Sequence, residues 1–155
     1  MTKSDLMELI RADLGARLER LSKAAMAAHA AATDPGSKAE SKYDTRSLEE
    51  SYLASGQARQ VRELAETLAI FEHLRFPDFE KTAEIDAGAL VEVEKVGAVE
   101  KVFFLLAPAS GGLEISHSGR LITLLSPDSP LYRQLLGLKI GDALNQPAII
   151  IRGVE

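Results

Sequence analysis

The sequence predicts an α+β protein in two parts: an antiparallel coiled-coil helical hairpin, then a small antiparallel sheet domain with one helix. Three observations predict it. Apolar residues recur at coiled-coil spacing on both sides of the stretch Ala31 to Glu40. Within that stretch Pro35-Gly36 cannot continue a helix, because proline disfavours helix at the residue before it and glycine tolerates positive φ. Beyond Pro77 the pattern changes to β-type alternation. The hairpin takes residues 1–76, with its tip near 33–40, and the sheet domain takes 77–155.

Helix 1 is predicted from about Ser4 to Thr33, with Ser4 as its cap and Asp5 and Glu8 suiting the positive end of the helix dipole. Its stripe is Leu6, Ile10, Leu14, Leu18, Leu21, Ala25 and Ala28, with Arg11, Arg17, Glu19, Arg20 and Lys23 outside it. A helix of about 30 residues reaches roughly 45 Å, too long merely to cover a compact core. Ser37 with Glu40 reads as a capping box opening helix 2, which is predicted to run from about Ser37 to Leu74. Its stripe is Leu48, Tyr52, Ser55, Ala58, Val61, Leu64, Leu68 and Phe71. Folding back at Pro35-Gly36 sets Leu21 near Leu48, Leu18 near Tyr52 and Leu6 near Leu64. The alanines between Ala24 and Ala32 let two backbones approach and make a thin tip, although helix propensity alone explains the same composition.

In the second part, strands are predicted at 89–94, 99–106, 113–116, 121–125 and 148–151. Between the last two, Ser129 to Gly137 reads as a short helix, with Ser129 capping, Pro130 at the first helical position and Gly137 closing it.

Composition narrows the function. Hydrophobic residues make up 46% of the 155 and charged residues 26%, ordinary for a globular protein, and no apolar run is long enough to span a bilayer. With no cysteine there is neither a disulfide nor a thiolate metal site, which fits the cytoplasm. The net charge of −5 argues against a surface built to hold nucleic-acid phosphates. Residues 1–76 carry 11 Lys and Arg against 12 Asp and Glu, and residues 77–155 carry 7 against 11. The acidic excess thus falls in the sheet domain and suits a basic protein surface, although solubility explains it equally well.

The stretch Ser129-Pro130-Leu131-Tyr132-Arg133-Gln134-Leu135-Leu136-Gly137-Leu138-Lys139-Ile140-Gly141-Asp142 resembles the C-terminal signature of the bacterial Gre transcript-cleavage factors. That signature reads Ser-Pro, four residues, Leu-Leu-Gly, three residues, Gly-Asp, and it matches here without a gap. Tyr43 with the long helix that follows it, and the lead-in Gly88-Ala89-Leu90-Val91-Glu92-Val93, also resemble the family. The resemblance implies a coiled-coil hairpin followed by an FKBP-like domain. It also implies that this domain docks on RNA polymerase at the rim of the secondary channel while the hairpin reaches toward the active centre. Asp128, Ser129 and Pro130 match the family's polymerase-binding turn; plain capping of the following helix is the structural alternative.

The family's tip carries an aspartate and a glutamate three residues apart, which help hold Mg²⁺ and a water in the polymerase active site. Carboxylates suit this because Mg²⁺ takes hard oxygen ligands. Aligned on Tyr43, this chain has Gly36 and Ala39 where the family keeps its acids. Asp34, Glu40 and Asp44 lie nearby as candidates, but Asp34 suits an Asp-Pro turn and Glu40 the capping box. The resemblance therefore implies an accessory regulator, not itself an enzyme, with transcript cleavage weak or lost. The alternative is an active factor using Asp34 and Glu40. No cofactor of its own is expected, Mg²⁺ entering only within the polymerase site. Nucleic acid is met only indirectly, through the polymerase, and no membrane is involved.

His29, His73 and His117 lack ligand spacing, so no zinc site is expected. An FKBP-fold chaperone or prolyl isomerase is the reading from another class. The scarcity of aromatic residues in the second half predicts no apolar prolyl pocket, and the fold alone does not carry that activity.

Overall fold

The computed structural model describes residues 2–33 and 46–155, with side chains over 2–31 and 55–155. The predicted start of the second helix at Ser37 lies outside them. The elements are α1 (Lys3–Thr33), α2 (Arg46–His73), β1 (Leu90–Lys95), β2 (Lys101–Leu106), β3 (Glu114–His117), β4 (Arg120–Leu125), α3 (Pro130–Leu135), β5 (Ala143–Asn145) and β6 (Ala148–Val154). They form two compact units, one of Met1–Leu9 with His73–Glu155 and the other of Ile10–Glu72.

In the helical unit the α1 stripe is as the spacing predicts. Ile10 and Leu14 are buried, and Leu18, Leu21, Ala25 and Ala28 are half-buried between exposed neighbours. On α2 Phe71 is buried and Gln57, Val61, Leu64 and Leu68 are half-buried, whereas Ser55 and Ala58 are exposed. The seam therefore takes Gln57 in place of Ala58. Arg11 fixes the register: its Nε donates to the Phe71 carbonyl at 2.9 Å and Nη2 to the Glu72 carbonyl at 3.2 Å. A cation here satisfies carbonyls of the last α2 turn that have no intrahelical partner.

Two helices joined by so short a connection and locked at Arg11 run back along each other. The predicted Leu6–Leu64 pairing is thus corrected, because the register is not symmetric about Pro35-Gly36.

The start of α1 is capped two residues earlier than predicted. Asp5 N donates to Thr2 Oγ1 at 3.2 Å and Thr2 N donates to Asp5 Oδ2 at 3.0 Å, a reciprocal box in which Thr2 replaces Ser4. These bonds to Thr2, the backbone one foremost, hold the Asp5 carboxyl below its ordinary range. Lys3 Nζ donates to the carbonyls of Pro77 at 2.6 Å and Gly88 at 2.9 Å and lies 4.5 Å above the Phe79 ring. Partial burial lowers its pKa to about 8, against the opposing pull of Asp78 and Glu155.

The sheet has six strands in the order β3-β4-β2-β1-β6-β5. Its pairings are antiparallel, as expected, except that β2 and β4 run parallel from Phe103↔Ile122 to Leu106↔Leu125, so the sheet is mixed. The strand β5 was not foreseen; three residues are too few to show alternation. Val91, Val93, Leu106, Leu125, Ile149, Ile151 and Val154 form one buried cluster with Tyr132 and Leu135 of α3. Burial also raises the Tyr132 phenol pKa, with Asp86 adding to the effect.

Candidate functional site

The segment after β4 is a tight turn leading straight into α3. Ser129 N donates to the Ser126 carbonyl at 2.9 Å, which closes the turn over Pro127 and Asp128. Ser129 adopts the N-cap conformation, φ −72° and ψ 129°, and Pro130 occupies the first turn of the helix. The Ser129 hydroxyl, however, makes no capping hydrogen bond. Capping does not account for the side chain, and only the backbone conformation matches the sequence expectation.

Asp128 and Pro130 are exposed, and Ser129 is half-buried beside them. The Asp128 carboxyl is held below its ordinary range first by the Ser126 hydroxyl, which donates to Oδ1, then by a backbone N–H and by the charge of Arg133. Arg133 Nη1 also reaches back to the Pro127 carbonyl at 3.4 Å. The structure thus brings the three predicted residues together as one rigid, exposed turn carrying a fixed negative charge. Such a turn can pair with a basic surface without first ordering a loop.

The remainder of the signature builds the platform. Gly137 follows α3 with φ +83°, a conformation that side chains disfavour, and its N–H donates to the Ile85 carbonyl at 2.8 Å. Asp142 Oδ2 accepts from Lys139 N at 2.8 Å, closing the next turn on itself. Two backbone bonds, Gly141 N to Ile151 O at 2.9 Å and Ile151 N to Asp142 O at 2.8 Å, tie this segment to β6. Gly137 and Gly141 act through backbone geometry, and Asp142 through a bond that its side chain makes within its own turn.

The tip candidates Asp34, Glu40 and Asp44 lie outside the described residues. So do Gly36, Ala39 and Tyr43. Among the described residues no group of three or more His, Asp or Glu side chains could hold a metal, and no helix is long and apolar enough to cross a membrane. The second half, expected to hold no apolar prolyl pocket, does carry an apolar groove. A groove of about 280 Å³ is lined by Val93, Val96, Val102, Phe104, Pro147, Ala148 and Ile149, with Lys95 among them. Phe104 is its one aromatic residue.

Sequence reasoning missed Ser126, Gly111 and Arg133. The Ser-Pro-Asp-Ser-Pro run carried a signal for Ser126, since a hydroxyl two residues before an aspartate in a proline-stiffened turn is placed to meet its carboxylate. Gly111 stands in the glycine-rich turn 110–112 that the sequence shows, but its close approach to the Ser126 hydroxyl, which an added Cβ would crowd, joins residues that no local pattern links.

No family model matches the chain, and no curated protein does. It is similar, at low identity, to solved structures of Gre-type factors. The GreA factor homolog 1 of Thermus thermophilus shares 18% identity over 94% of this chain and 94% of that one, with a TM-score of 0.38. Gfh1 of Thermus aquaticus shares 16% over 92% of each chain, with a TM-score of 0.36. The prokaryotic transcription elongation factor GreA/GreB from Nitrosomonas europaea shares 16% over 69% of this chain and 91% of that chain, with a TM-score of 0.35.

Proposed function

We propose that this chain is a Gre-like transcription elongation regulator that binds RNA polymerase at the rim of its secondary channel. The hairpin enters the channel, and transcript cleavage is weak or lost. The observation that carries this reading is the Asp128-Ser129-Pro130 turn. Its residues stand in the register of the Gre signature, its carboxylate is exposed and charged, and the serine hydroxyl is not used for capping. The long two-helix unit, with its buried stripe, supplies the probe. The chain itself is an accessory factor, cytoplasmic with its polymerase, and any Mg²⁺ belongs to the polymerase active site.

Weak or absent cleavage rests on the sequence at the tip, where Gly36 and Ala39 replace acids. The test is RNA hydrolysis in a backtracked polymerase complex, with a known active factor alongside. We expect binding without added cleavage. Cleavage abolished by Asp34→Ala or Glu40→Ala overturns that part and establishes an active factor. The apolar groove favours a test of the prolyl-isomerase alternative as well. A proline-isomerisation assay on a model peptide is expected to show no activity, since the groove has a single aromatic residue.

A further inference from the structure

We propose that Ser126 is a positioning residue of the docking turn, with its hydroxyl fixing the Asp128 carboxylate in the orientation that a basic group on the partner meets. This rests on the polymerase-docking reading. Three observations support it. The Ser126 hydroxyl donates to Asp128 Oδ1, so one carboxylate oxygen is held from inside the turn. The same residue accepts the Ser129 N–H through its carbonyl at 2.9 Å, so one residue sets both the backbone and the acid.

The third observation is the space around that hydroxyl. A Cβ at Gly111 would lie 2.4 Å from Ser126 Oγ and 3.1 Å from Ser126 Cβ, so only glycine leaves the hydroxyl where it is. The loop before β3 therefore acts as a backstop for the docking turn. Arg133 is the charged group that faces the carboxylate, and it lies on the helix that the turn leads into. The partner chemistry that follows is an arginine or lysine side chain. A pre-aimed carboxylate gives such a group a charge-assisted bond without the cost of ordering a free side chain.

The experiment uses the full chain with Ser126→Ala, Ser126→Thr, Gly111→Ala and Asp128→Ala. Two quantities are read: the Asp128 carboxyl titration by NMR in the free protein, and affinity for core RNA polymerase. Ser126→Ala is expected to raise the Asp128 titration toward the ordinary carboxylate range and weaken polymerase binding about three- to tenfold, the scale of one hydrogen bond. Ser126→Thr keeps both near wild type, and Gly111→Ala follows Ser126→Ala. On an Asp128→Ala background Ser126→Ala costs nothing further, because its effect passes through that carboxylate.

An unmoved titration in Ser126→Ala overturns the positioning role, and so does a loss of affinity that persists undiminished without Asp128. A wild-type chain that fails to bind core polymerase overturns the docking reading itself. That failure is distinguishable, because the titration is measured without polymerase.

Discussion

Replacing Gln57 by leucine should stabilise the helical unit, although it alters a residue in the middle of a seam. Gln57 is half-buried, and its Oε1 is shut off from solvent with no hydrogen-bond partner among the described residues. A buried, unsatisfied polar atom costs about 1–3 kcal/mol. Leucine removes that cost and adds apolar contact with the seam. Because the position is only half-buried, the expected net gain is about 1–2 kcal/mol. Urea unfolding of the full chain followed by helical circular dichroism reads the gain as a higher midpoint. A destabilised Gln57→Leu, or an unchanged midpoint, would refute the place of Gln57 in the seam.

Other expectations follow from the sheet unit. Leu135→Ala opens a cavity beneath α3, where the side chain is fully buried, and should cost about 3 kcal/mol in chemical denaturation. Lys3→Met keeps the apolar stem but loses both carbonyl bonds, and a loss of about 1 kcal/mol is expected after allowing for exposure. With the folded Lys3 pKa near 8, below the unfolded value of about 10.4, the unfolded chain binds the extra proton between them. Wild-type stability relative to Lys3→Met should therefore rise across that window. Thr2→Ala removes a bond that depresses the Asp5 carboxyl. Its contribution is full above the unfolded value of about 3.9 and is lost as pH falls through the folded one, so wild-type and Thr2→Ala urea midpoints should converge below about pH 4.

The α1 stripe was legible because heptad spacing follows from helix geometry, and Leu6 through Ala28 fall where the period places them. The pairing register was not. It depends on Arg11 meeting the end of α2, a contact between residues far apart in sequence that no local pattern encodes. Gln57 was hidden for the same reason, since Ala58 fits an apolar stripe better when composition is the only guide. In the sheet, Val91, Val93, Phe103 and Leu105 announced their strands by alternation, and β5 did not. The parallel β2–β4 pair escaped because strand pattern carries direction poorly. In the turn before α3, Asp128, Ser129 and Pro130 were readable from the signature. The role of Gly111 emerged only when a loop from elsewhere came to rest against Ser126.

The most direct test of the central claim is a binding measurement between the full chain and core RNA polymerase, comparing wild type with Asp128→Ala. The account predicts a wild-type complex that weakens on Asp128→Ala while both proteins keep the same unfolding midpoint. No complex with wild type, or equal binding by the two, would contradict it.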